Sequence, residues 1–224
     1  MQHHRSRLAH FMAGLGLAIA SLSASAEFSG DITVKLLTPG GTVSDATPFT
    51  LTQTVLAADL ADGVRAGNLG GSGDISGFML DDERIFFSGN SILLRVAAGA
   101  TVSGALVTGY LAGGFDPARY EITGLAIPGQ LITGYTVTAF DGFAAAGSTG
   151  LLAPAQASDL VFLFNGNAAS FNLDSIVFVN RFAGESDNYA EFRIDLITTP
   201  VPEPATAVLL MAGGLWLRLR LRKP

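Results

Sequence analysis

The chain has 224 residues, no cysteine, a formal net charge of −6 and 49% apolar side chains. Without cysteine it has no disulfide, no thiolate nucleophile and no zinc–thiolate site. All three histidines, His3, His4 and His10, stand in the first ten residues, so the rest of the chain also lacks Ser-His-Asp and Cys-His catalysis, imidazole metal sites and histidine general bases.

The first element in the chain is a leader. Arg5 and Arg7 precede an apolar run from Phe11 to Leu22, and Ala24-Ser25-Ala26 has the small-x-small form of a cleavage site. This order is that of a secretory signal peptide, a short helix cut after Ala26, so residues 1–26 stand outside the fold. From Glu27 to Pro204 there are 178 residues with seven basic and nineteen acidic side chains, a formal charge of −12. So acidic a body repels nucleic acid and anionic lipid and stays soluble outside the cell. Its length fits one domain with a sizeable core.

The body is built of short β-forming runs. Asp31 to Leu37 alternates and predicts a first strand, Thr38 to Gly41 a turn, and Phe49 to Val55, alternating with threonine, a strand wet on one face. Leu56 to Asp62 suits a short helix, Gly63 to Gly77 with its glycines a long loop, and Ile75 to Leu80 the start of a strand. An acidic turn, Asp81-Asp82-Glu83, leads into Arg84 to Ser88, and Gly89-Asn90 hinges that strand onto Ser91 to Ala97 as a hairpin. Thr101 to Leu111 is another strand candidate, followed by a loop from Gly113 to Pro117. Tyr120 to Ile127 and Leu131 to Phe140, joined by Pro128-Gly129, predict a second hairpin. Asp141 to Ser158 is small-residue loop. The strongest strands are Leu160 to Phe164, Asn172 to Asn180 and Tyr189 to Thr198; in the last, Ala190, Phe192, Ile194 and Leu196 share the face expected to meet the core.

These runs, with almost no helical period, predict an all-β domain over residues 27–200: an antiparallel β-sandwich or jelly roll of about eight to ten strands. Phe162, Phe164, Phe171, Phe178 and Phe192 are expected to fill the space between its sheets.

The chain then changes character. Val201-Pro202-Glu203-Pro204 is a short Pro-rich motif, Ala205 to Leu217 carries no charge, and Arg218, Arg220, Arg222 and Lys223 close the sequence. As a helix the uncharged run spans roughly 20 Å at about 1.5 Å per residue. The Arg heads can snorkel while Leu219 and Leu221 remain in the apolar layer, extending the helix over residues 205–221 to about 17 residues, the lower limit for a membrane span. Positive charge on the far side alone sets the orientation, with the body outside.

Pro202-Glu203-Pro204, an apolar helix and an Arg-rich end together resemble the PEP-CTERM sorting signal of Gram-negative bacteria, over residues 201–224. The resemblance implies recognition of Val201 to Pro204 by an exosortase-type membrane protease/transpeptidase, with Arg218, Arg220, Arg222 and Lys223 as the stop-transfer element and the inner membrane as a transient anchor. It also implies a final place at the cell surface or in an extracellular polysaccharide matrix, with a structural or adhesive role and no catalysis.

Other chemistry is sparse. Asp81, Asp82 and Glu83 with Asp74, and Glu185, Asp187 and Asn188, are oxygen-rich stretches of the kind calcium takes; the plain alternative is solvated turns, and no cofactor is assigned. Tyr110, Tyr120, Tyr135 and Tyr189 would stack on sugar rings if exposed, which would suit a non-catalytic carbohydrate-binding module. A carboxylate pair would suit a secreted polysaccharide hydrolase, but nineteen acidic residues make some such pair inevitable.

Overall fold

A computed structural model describes residues 27–67, 74–140, 150–185 and 187–201. Over these the chain is all-β, with fourteen strands and three short 3-10 turns. The strands are β1 Ile32–Thr38, β2 Phe49–Val55, β3 Val64–Arg65, β4 Arg84–Ser88, β5 Ser91–Ala97, β6 Ala100–Val102, β7 Ala105–Val107, β8 Arg119–Thr123, β9 Gln130–Phe140, β10 Leu151–Ala153, β11 Val161–Asn165, β12 Ala168–Asn172, β13 Val177–Phe178 and β14 Tyr189–Pro200. They form three antiparallel sheets. One five-stranded sheet has the order β11-β12-β8-β1-β2, the other β3-β4-β5-β14-β9, and a four-stranded sheet has the order β10-β13-β7-β6.

Period-two alternation places the core. Ile32, Val34 and Leu36 of β1, Tyr120 and Ile122 of β8 and Phe171 of β12 are buried on one face of the first sheet, while Ile92, Leu94, Phe192, Ile194 and Leu196 are buried on the second. All belong to one apolar cluster. The rings of Phe171 and Phe192 meet edge-on with centroids 4.9 Å apart, so the two five-stranded sheets share that core.

Several predicted elements differ. The pairing of 120–127 with 131–140 does not form: β8 pairs with β1 and β12, β9 with β14. Gly124, at φ +85° with its Cα facing the Asp31 carbonyl, turns the chain out of the first sheet, and 124–129 carries it across to the second. The single strand expected over 101–111 is a hairpin of β6 and β7, because Ser103 and Gly104 both take positive φ, the backbone of a tight hairpin turn. The expected strand over 172–180 is reduced to β13 by a turn at Asp174 and Ser175, while the small residues of β12 before it form the longer strand. Ile75 to Leu80 is a 3-10 turn and bend instead of a strand, and Leu56 to Asp62 holds only a 3-10 turn, Ala57–Asp59. Gly63 sits at φ +55°, where a Cβ would come within 2.0 Å of the Ile85 carbonyl oxygen, which allows β3 to pair with β4.

Among the expected core phenylalanines, Phe171, Phe178 and Phe192 are buried, whereas Phe162 is 62% exposed; the side chain of Phe164 lies outside the described residues. In a run as uniformly apolar as Val161-Phe162-Leu163, the sequence carries no alternation to say which face looks out.

Candidate functional site

The first five-stranded sheet carries an open groove of about 560 Å³ on its outer face. The alternation that buries Tyr120 and Ile122 turns Arg119 and Glu121 outward, and the ladder aligns them with Asn172 and Ser170 of β12. Phe162 of β11 stands opposite Ser170. The loop before β8 contributes Asp116 and Pro117, and the 3-10 turn before β11 contributes Asp159. Phe115, fully exposed, lies next to Asp116 in the same loop.

Arg119 organises the polar wall. Its Nε and Nη2 donate to Glu121 Oε1 at 3.0 and 2.8 Å, and its Nη1 donates to Asp116 Oδ1 and to the Pro117 carbonyl. Partial burial works against the charge, and the bonds to Glu121 and Asp116 outweigh it, raising the Arg119 pKa above the usual arginine value. The two carboxylates are therefore tied to one guanidinium instead of facing each other across a cleft.

Among the described residues the oxygen-rich stretches do not come together as metal sites. Asp81 and Asp82 point to solvent, and Asp82 lies 4.0 Å from Arg95. Glu83 turns inward and accepts N–H groups from Leu80 and Ala97 at 3.1 and 3.2 Å. Among the described residues no three acidic side chains are placed to hold one metal ion. Asn188 is fully buried: its Oδ1 accepts the N–H groups of Arg181 and Phe182, and its Nδ2 donates to the carbonyls of Phe182 and Gly184. It clamps the loop as a side-chain stand-in for backbone. Asn188→Ala should cost about 2–3 kcal/mol, since it leaves several buried groups unpaired; urea unfolding should give the same loss in calcium and in chelator.

The tyrosines do not form a platform. Tyr110, Tyr120 and Tyr189 are buried, and the half-buried Tyr135 donates its hydroxyl to the Val161 carbonyl at 2.7 Å. On the outer face of the second sheet, Glu191 accepts from Arg84 and Arg95 at 3.0 and 2.6 Å, and the Arg95 guanidinium lies 4.1 Å from the Tyr189 ring centroid. Burial pushes the Glu191 pKa up, and the bonds to Arg95 and Arg84 more than reverse it, holding it below the usual carboxylate range.

No family model, curated protein or solved structure matches the chain.

Of the sorting motif, Val201 is described, half-exposed, its N–H donating to the Gly129 carbonyl at 2.8 Å. Pro202, Glu203, Pro204, Arg218, Arg220, Arg222 and Lys223, and the cleavage residues Ala24 and Ala26, lie outside the described residues. Among those described, no helix is long and apolar enough to cross a membrane. At the other end, the Phe28 N–H donates to Gly89 and the Ser29 N–H to Ala126. Both ends of the body thus meet the 126–129 segment, beyond the Thr123 end of β8, while the groove lies at its Arg119 end. Of the groove residues the sequence singles out only Phe162, and it points that ring into the core. The outward pair Arg119 and Glu121 was legible in the alternation of β8, but the exposed face of Phe162 was not.

Proposed function

We propose that this is an exported, non-catalytic protein whose body is an antiparallel β-sandwich. In this proposal an exosortase-type system sorts it through Pro202-Glu203-Pro204 to the cell surface or extracellular polysaccharide matrix of a Gram-negative bacterium, where its role is structural or adhesive. The observation that carries this is the junction: β14 ends at Pro200, and Val201, the first residue of the motif, donates its N–H to the Gly129 carbonyl at 2.8 Å. Processing after that point removes no described strand. The edge-on contact of Phe171 with Phe192 between two five-stranded sheets supports the sandwich.

The carboxylates support a binding or structural role over a hydrolytic one. The carboxyl pushed to about 7 is Glu83, 1% exposed and held by two backbone N–H groups, while Asp116 and Glu121 are held by Arg119. A glycosidase acid needs a raised pKa at the substrate, with a second carboxylate about 5–10 Å away.

The test is the intact mass of the protein from its native host, fraction by fraction. A form beginning at Glu27, ending near Pro204, lacking Trp216 and found outside the inner membrane is expected. A form ending at Pro224 and retained in the inner membrane would show that the tail is a plain anchor and overturn the sorting proposal.

A further inference from the structure

We infer that Phe115 of one copy enters an apolar hollow at the other end of a second copy, so that the bodies join head to tail in an open chain. This rests on the structural role above only for its setting, a surface where copies are crowded; the contact itself follows from a knob, a hollow and their placement.

The knob is the tip of a turn. Gly113 and Asp116 exchange backbone hydrogen bonds at 2.9 and 3.1 Å, which leaves Gly114 and Phe115 as a two-residue tip. Gly114 takes φ +65°, a backbone that the first position of such a tip accepts when it is glycine. The base of the turn is fixed. A Cβ at Gly113 would come within 2.7 Å of the Pro39 carbonyl oxygen, and Arg119 bonds to Asp116 and to the Pro117 carbonyl. Nothing in this turn needs an aromatic side chain, yet Phe115 stands at its tip fully exposed. An aromatic ring on a rigid support is the kind of group that anchors an interface, because little ordering is left to do on binding.

The hollow lies beside the start of the body. Phe28, Leu60 and Phe87, with Ala57, Ala58 and Ala61, give it an apolar lining around about 250 Å³. That is below the usual range of small-molecule sites, about 300–1,000 Å³, and suits one side chain. Its walls are held in place: the Phe28 and Phe87 rings meet edge-on with centroids 5.9 Å apart, Phe87 donates its N–H to the Leu60 carbonyl at 2.9 Å, and Asp31 accepts the Ala57 N–H at 2.9 Å. A phenyl ring entering there meets two more aromatic rings.

Placement decides the geometry. The pairing of Leu37 with Arg119 puts the Phe115 turn at one end of β1, and the pairing of Ile32 with Val55 puts the hollow at the other. Seven residues of β1 separate them by roughly 20 Å, at about 3.3 Å per residue, so the ring cannot fill its own hollow. Knob and hollow are different patches on one chain, and such a contact between copies does not close on itself as a two-fold dimer does. One ring buries little area beside the roughly 1,200–2,000 Å² of a stable interface, so each joint is weak and needs a high local concentration. The body carries −12, so copies repel at low ionic strength, and salt strengthens an apolar contact between them by screening that charge.

The experiment is sedimentation velocity of the full chain in mild detergent, across a wide range of protein concentration at low and high salt. The protein should form species larger than a dimer that grow with concentration and with salt. Phe115→Ser, which has no knob, and Ala58→Trp, which fills the hollow, should each stay monomeric with nearly unchanged melting temperature. Mixed, they should pair and stop at the dimer, since one retains the hollow and the other the knob. Should Ala58→Trp fail to fold, the cysteine-free chain offers a second route. With Phe115→Cys and Ala58→Cys together it should oxidise to a ladder of covalent multimers, and with Phe115→Cys and Thr52→Cys it should not. A wild type that is monomeric throughout or stops at a dimer, an unaltered Phe115→Ser variant, folded single variants that do not pair when mixed, or the same ladder from both cysteine pairs would overturn the inference. Failure of tail processing in the host would leave this result untouched, and failure to assemble would leave the processing result untouched.

Discussion

The protein should lose about 3 kcal/mol of stability as the pH rises from about 4.5 to 7, against the common expectation that a −12 body prefers neutral solution. Burial raises the Glu83 carboxyl from 4.5 to about 7, and the two backbone bonds from Leu80 and Ala97 offset only part of that. The folded state therefore binds the proton more tightly than the unfolded chain. The stability tied to it is fully present below about 4.5 and lost as the pH rises through about 7, at about 1.4 kcal/mol per pH unit. Buried Tyr110 and Tyr120 sit in the same environment, their hydroxyls pushed well above the usual range, first by burial and then by the Glu83 charge. Glu191 acts with the opposite sign: held low by Arg95 and Arg84, its contribution disappears as the pH falls through its folded pKa. Stability should thus peak in the ordinary carboxylate range, about pH 4–5. Urea melts at half-unit pH steps check this. Glu83→Gln should flatten the upper limb, while costing about 1–3 kcal/mol at low pH because one of the two N–H groups loses its acceptor. A wild-type curve level from pH 4.5 to 7 would refute the assignment.

Phe192→Ala should cost about 3–5 kcal/mol and lower the melting temperature by roughly 10–15 °C. Phe192 is fully buried in the first half of β14, and its ring meets Phe171 at 4.9 Å and 61°. Removing it opens a cavity where two sheets meet, and neither sheet can close it without breaking its own ladder. Phe171→Ala should behave alike, and the double variant should cost less than the sum, since both single changes remove the same contact. Phe162→Ala should fall within about 0.5 kcal/mol of wild type, as exposed positions do; calorimetry of the three variants side by side separates core from groove.

What could be foreseen followed the strength of the local pattern. Phe49 to Val55, Arg84 to Ser88 and Ser91 to Ala97 match the observed strands residue for residue, because threonine alternation and the Gly89-Asn90 turn leave little freedom. Tyr189 to Thr198 matches within two residues, and its apolar face is buried as expected. Sheet partners were not legible. Pro128-Gly129 looks like a hairpin turn, yet the chain there crosses between sheets, and β1 pairs with β8 across 82 to 90 residues of sequence, from Leu37 with Arg119 to Thr33 with Thr123. Such pairings depend on burial summed over the whole domain, which no short window contains. The groove was hidden for a related reason. Its residues come from the loop before β8, from β8, from the turn before β11, from β11 and from β12, and only the ladder of β8 with β12 and β11 brings them together.

The interior place of β14 in its sheet has a mechanical consequence. It is bonded on one side to β5 from Tyr189 to Asp195 and on the other to β9 from Glu191 to Pro200. These hydrogen bonds lie across the strand. If the processed end beyond Val201 is fastened to the cell and the rest of the body is held by the matrix, tension runs lengthwise along β14. Load in that direction shears both ladders together instead of peeling one bond at a time. The rate of yielding under force is then set by the barrier to unfolding, and that barrier includes the rupture of two rows of bonds at once. A tether drawn from an edge strand would unzip; one drawn from β14 resists as a clamp.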